Sequence, residues 1–155
     1  MFGSKVGAME VGAHSGAHFQ LNPRNLMKPS VILLFTRDRN FDQLVREALL
    51  GTNAIVLIAR NIPDALEIVC QRGRELDFAL MDFDGGCRGM TLLAAVHTCH
   101  QHLPVLVTTS KDAEHATAVA YANGARACLN RPLQAALLAN AITNLKTTHN
   151  QMVAA

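Results

Sequence analysis

Four short stretches of this chain hold the residues able to do chemistry. Asp82 follows the apolar run Phe78 to Met81 and precedes Phe83, Asp84, Gly85 and Gly86. Thr36, Arg37 and Asp38 follow Val31 to Phe35; Thr108, Thr109 and Ser110 follow Val105 to Val107; Asn130, Arg131 and Pro132 follow Ala125 to Leu129. The types are an acid, hydroxyls and a guanidinium. A carboxylate can act as a nucleophile or an ion ligand, and an arginine can pair with it through charge-assisted hydrogen bonds. Another stretch, His97-Thr98-Cys99-His100-Gln101-His102, has the residue types of a zinc or copper site. It spans the end of a helix and the following loop, where alternating side chains diverge, so a solvated helix end is the simpler reading. No metal site is expected in this stretch.

Other chemistries lack their residues. No GxGxxG or GxxxxGK[ST] follows the first apolar run, and Phe35-Thr36-Arg37-Asp38-Arg39-Asn40 has no backbone cradle for phosphates. No Ser/His/Asp or Cys/His set falls at neighbouring run ends, so a hydrolase is not expected. Cys87 reads as a loop cysteine, and Asp77 as an ordinary acid at a strand edge.

The elements that must position these residues are legible from periodicity. Phe41, Leu44, Val45, Ala48 and Leu49 recur at the spacing of one helix face, as do Ala65, Leu66, Val69 and Cys70. Met90, Leu93, Ala94 and His97 mark a third helix. The fourth is Ala-rich from Ala113 to Ala122 and stops at Asn123-Gly124; the fifth starts at Pro132 and carries Leu137, Leu138, Ala141, Ile142 and Leu145. Five apolar runs alternate with these helices. Continuous apolar runs are strands buried on both faces, and strands separated by helices are joined by right-handed crossovers. The expected fold is α/β, a doubly wound five-stranded parallel sheet with strand order 2-1-3-4-5. Ligands of such sheets sit at the carboxyl ends of the strands, where the residues above fall.

Composition agrees with one packed domain. The chain has 155 residues, half of them apolar, 17% charged, with a formal net charge of +2. Disorder is excluded by the apolar content, and the small, dispersed basic excess argues against a nucleic-acid partner. No apolar run is long enough for a membrane span and the first residues lack a secretory signal, so the expected location is the cytoplasm, with no membrane partner. Cys70, Cys87, Cys99 and Cys128 show no CxxC spacing and are read as thiols rather than bridges. Residues 1–27, rich in glycine and alanine without sustained periodicity, read as a flexible extension; 28–149 as the domain; 150–155 as a short tail.

From Lys28 to about His149 the sequence resembles the receiver domain of two-component response regulators. In that family the third strand ends in a phosphorylated aspartate, matched by Asp82 in Leu80-Met81-Asp82-Phe83-Asp84-Gly85-Gly86. The fourth ends in a hydroxyl residue, matched by Thr109 in Pro104-Val105-Leu106-Val107-Thr108-Thr109-Ser110, and the fifth leads to a lysine and a proline, matched by Arg131-Pro132. The sequence departs from the pattern at three places. Thr36 and Arg37 stand where the family has two adjacent acids that hold magnesium. Arginine stands at the lysine position. Cys128 stands where the family usually has an aromatic switch residue, and it has no ring to swing.

The resemblance therefore implies a pocket of Thr36, Arg37, Asp38, Asp84, Thr109 and Arg131 around the phosphoacceptor-like Asp82, in a degenerate, or pseudo-receiver, domain without a cofactor. With the acid pair missing, Asp82 and Asp38 should hold magnesium poorly. Arg37, Arg131 or both could pair with Asp82 in place of the metal; the other reading of Arg37 is that it points to solvent. The implied function is a stand-alone, non-enzymatic signalling module of a two-component or phosphorelay system. Its partners would be a sensor kinase, a phosphotransfer protein or another signalling protein, with a possible homodimer on the face of the fourth helix, fifth strand and fifth helix. The alternative is a working phosphoacceptor in which Asp82 is phosphorylated, with Asp38 holding a weakened Mg2+ site.

Overall fold

In the computed structural model, which describes residues 28–83, 87–109 and 114–154, five parallel strands stand in the order β2-β1-β3-β4-β5. They are β1 (Ser30–Phe35), β2 (Ala54–Ala59), β3 (Phe78–Phe83), β4 (Val105–Thr109) and β5 (Ala127–Asn130). Helices α1 (Arg39–Ala48), α2 (Ile62–Arg72), α3 (Cys87–Cys99), α4 (Glu114–Ala122) and α5 (Ala135–Ala154) alternate with them. The expected topology is the observed one. The extension read at 1–27 lies outside the described residues, and α5 runs on to Ala154, through the residues read as a tail.

Strand parity divides the core in two. Side chains of Ile32, Leu34, Phe78, Leu80 and Leu106 face one way and pack against Phe41, Val45 and Leu49 and against Leu138, Ile142 and Leu145 of α5. Leu33, Phe35, Ala79, Met81, Phe83, Val105 and Val107 face the other way, onto α2, α3 and α4. β3, in the middle, is buried at all six of its residues. Deleting the side chain of one such residue, Leu80, removes the packing of a site with 0% exposure, which typically costs about 2–5 kcal/mol. At the other extreme, β2 is the outermost strand beside β1, its six residues are all apolar, and Ile55 is 44% exposed.

Local chemistry fixes where the helices begin. Asp38 caps α1 by accepting from the Asn40 N–H at 2.8 Å, and Asn61 caps α2 by accepting from the Asp64 N–H at 2.8 Å. Each cap is worth about 1 kcal/mol. Gly124, with φ of 107°, ends α4 as the sequence suggests. Any side chain there would also meet His97, whose Cγ stands 2.5 Å from the place of a Cβ. The fifth helix opens later than Pro132. The Leu138 N–H bonds to the Gln134 carbonyl at 3.1 Å, while the Arg131 N–H is bonded sideways to the Thr109 carbonyl at 2.8 Å.

Candidate functional site

The carboxyl ends of β1, β3 and β4 meet at Asp82. Register explains how. β1 pairs Phe35 with Met81, which sets Thr36 level with Asp82, and β3 pairs Asp82 with Thr108. Parallel strands in register point level residues to the same face, so the two threonines flank the acid. The Thr36 hydroxyl donates to Asp82 Oδ2 at 2.8 Å and the Thr108 hydroxyl donates to Oδ1 at 2.8 Å. Thr36 is 0%, Thr108 0% and Asp82 5% exposed. Thr36 also accepts from the Asp38 N–H at 3.0 Å, which directs its own hydrogen toward the carboxylate.

The third partner of Asp82 is Arg131. Its Nη2 forms an ion pair with Asp82 Oδ2. Nη1 stands 3.4 Å from Asp38 Oδ2, and the guanidinium lies over the Phe41 ring, 5.3 Å from its centroid. Both oxygens of a nearly buried carboxylate are thus engaged by two hydroxyls and one cation.

The other expected pocket residues divide. Arg37 is exposed and takes no part in these contacts, so of the two arginines only Arg131 pairs with Asp82. Asp38 is half-buried at the rim, shared between the α1 cap and Arg131. Thr109 sits on the opposite face of β4 from Asp82 and donates to Asn130 Oδ1 at 2.9 Å. Asp84 lies outside the described residues. Cys128 is half-buried, its thiol 3.7 Å from the Thr117 hydroxyl on α4.

Sequence reasoning noted Thr108 at the strand end without assigning it to the pocket, gave Phe41 only a packing role, and missed Arg60. Arg60, just after β2, forks onto both carboxylate oxygens of Asp42 and donates to the Thr36 carbonyl at 3.3 Å, tying β2 and α1 to the backbone beside Asp82. The hydrogen bond to Asp42 holds Arg60 above the ordinary guanidinium value, against the lowering effect of burial and with added help from the Asp42 charge. Strand alternation would have found Thr108, once the register of β4 against β3 was known.

Two histidines of the run lie against glycines. The His97 ring lies against Gly124, and the His100 ring lies against Gly73 so closely that no side chain would fit there. Among the described residues no group of three or more His, Cys, Asp or Glu could hold a metal ion. Cys99, His100 and His102 instead line part of an open cleft of about 540 Å3 at the amino ends of β3 and β4, the far end of the sheet from Asp82. Cys70, Cys99 and Cys128 are free thiols.

The profile of the response regulator receiver domain matches residues 32–143. The chain belongs to this family. Receiver domains are generally signalling, non-enzymatic domains. Among solved structures, a response regulator receiver domain protein from Clostridium thermocellum is similar at 22% identity and a TM-score of 0.70, over 79% of this chain and 98% of the other. A CheY-like receiver domain protein from Methanospirillum hungatei JF-1 is similar at 17% identity and a TM-score of 0.71, over 80% and 98%. The receiver domain of an HD domain-containing protein from Pseudomonas fluorescens Pf-5 gives 20% and 0.71, over 81% and 93%. At such identities these likenesses concern the fold. A comparison with curated proteins gave no match. No helix among the described residues is long and apolar enough to cross a membrane.

A receiver domain ordinarily holds magnesium beside its aspartate, and the described residues do not fit that ion. Magnesium requires a near-octahedral set of oxygens, several of them from carboxylates and water. At the family's acid pair this chain has a buried threonine, already bonded to Asp82, and an exposed arginine. A guanidinium faces the aspartate itself.

Proposed function

We propose that this receiver domain is a degenerate, or pseudo-receiver, module of a two-component or phosphorelay system that signals by protein contact, without using Asp82 as a phosphoacceptor. The observation that carries the reading is the engagement of both Asp82 oxygens by Thr36, Thr108 and Arg131. To attack phosphorus, an Asp82 oxygen would have to give up a hydrogen bond or its ion pair in a site that is almost dry. Phosphoryl transfer depends on positioning and on neutralising charge at the transferred oxygens, and here Arg131 is committed to the acceptor.

Two further features support the reading. Thr109, at the family's hydroxyl position, is bonded to Asn130 rather than free to follow a phosphoryl group. Cys128, at the switch position, has no ring to rotate. Partners of the expected kind are a sensor kinase, a phosphotransfer protein or another signalling protein. The elements α4, β5 and α5 offer them Tyr121 and Leu137, 49% and 51% exposed, and a second copy could use the same face.

Incubation with a small acyl phosphate and magnesium, read by intact-protein mass spectrometry, tests the proposal. The expected result is no phosphoryl adduct. An adduct that Asp82→Asn abolishes would establish the working phosphoacceptor, with Asp38 holding a weakened magnesium site.

A further inference from the structure

Arg131 is held by more than a loop arginine before a helix requires. Its guanidinium meets Asp82 from β3, Asp38 from the loop after β1 and the Phe41 ring from α1. Its N–H is fixed to the Thr109 carbonyl of β4 at 2.8 Å, and the next strand-end contact, Thr109 to Asn130, secures the same loop again. Its Nε is buried without a hydrogen-bond partner, a cost accepted only where the remaining contacts of the group outweigh it.

We infer that Arg131 is the resident cation of the Asp82 pocket: where relatives carry a lysine beside their divalent ion, its forked guanidinium engages Asp82 and Asp38 together and so closes the pocket to that ion. This deepens the metal-independent reading proposed above, by naming the group responsible. A guanidinium remains charged at any physiological pH and its planar fork can serve two carboxylates while its face lies on an aromatic ring. A tethered cation also needs no free ion in solution, so the arrangement of β3, α1 and the β5–α5 loop is independent of divalent-ion concentration. The Asp82 side chain is 2% exposed and that of Arg131 27%. A dication entering there would meet a like charge in a poorly screened setting. Among the described residues, Asp38 at the rim is already shared with Arg131 and the α1 cap and leaves it no second committed carboxylate.

Manganese is the probe, with amide NMR of the full chain as readout. In the wild-type protein, millimolar Mn2+ is expected to leave the resonances of Thr36, Asp38 and Asp82 unbroadened, whereas Arg131→Gln broadens them at a concentration at least tenfold lower. An equal response of the two proteins, both broadened or neither, would remove Arg131 as the excluding group. A measurement on the wild type alone stands if the variant fails to fold: its thermal midpoint should be the same in millimolar Mg2+ and in chelator, because an ion that binds only the folded state raises it. A midpoint several degrees higher in Mg2+ overturns the inference. The two readings fail separately. Acyl-phosphate labelling of Asp82 in metal-free buffer would end the contact-only function and leave the resident cation standing, while ion-dependent stabilisation would do the reverse.

Discussion

Cutting the Asp82–Arg131 pair from its two ends should have unequal costs, and the inequality follows from burial. In Arg131→Gln the carboxylate that stays behind has a side chain only 2% exposed. Leaving a buried charge without its partner costs about 3–5 kcal/mol. Here the Thr36 and Thr108 hydroxyls still serve both oxygens, which reduces the figure, while the lost contact with Phe41 adds about 0.5–1 kcal/mol. The expected destabilisation is about 2–4 kcal/mol, a large share of the roughly 5–15 kcal/mol that holds a domain folded. In Asp82→Asn the group left behind is the arginine, 27% exposed and still within 3.4 Å of Asp38. Water and Asp38 both remain available to it, and the asparagine retains an acceptor for one threonine, so the loss should be nearer 1 kcal/mol. Urea unfolding of both variants and the wild type at neutral pH, followed by far-UV circular dichroism, measures the difference through the midpoint at constant slope. Equal losses, or a larger loss from Asp82→Asn, would refute the assignment of Asp82 as the desolvated member.

The two adjacent threonines of β4 should also separate. Thr108→Val strips a donor from the buried Asp82 carboxylate and is expected to cost about 1–3 kcal/mol, whereas Thr109→Val releases only the exposed Asn130 and should cost less than about 1 kcal/mol; urea midpoints in the opposite order would mean that Thr109 is the residue serving Asp82. Arg60 gives a prediction about pH. Asp42 raises its folded value above the ordinary one, so its contribution is present in full below the ordinary guanidinium value and is lost only in strong alkali. The destabilisation by Arg60→Gln, small because the side chain is 38% exposed, should therefore be the same at neutral pH and at about pH 10; a deficit that shrinks by pH 10 contradicts the assignment.

The architecture was readable because buried parallel strands and amphipathic helices leave different periods in the sequence. What stayed hidden was register. The runs ending at Met81 and Val107 continue as strand through Phe83 and Thr109, since polar residues that look like the start of a loop are still paired by their neighbours. In strands that are apolar on both faces no alternation shows which side a residue takes, so Thr109 could be matched to the family's hydroxyl position while Thr108 held the carboxylate. Arg131 was identifiable from its type and its place after the fifth strand. Its stacking on Phe41 was not, because Phe41 belongs to the apolar stripe of α1 and carries no sign of a second role. Arg60 follows β2, a strand that carried no site residue in the sequence reading, and only the folded chain brings it to Asp42 and to the backbone of Thr36.

The outermost strand also sets how this protein behaves when concentrated. Ala54 to Ala59 presents six consecutive uncharged residues at a sheet margin, with neither a lysine nor a proline among them. Natural sheets commonly use such residues to discourage a second chain from adding itself to the ladder, and short, uncharged, β-prone segments are the usual seeds of fibrillar stacking. Any change that loosens the helices around β2 is expected to ease that addition, with Ile55 and its neighbours as the seam along which a second chain would join.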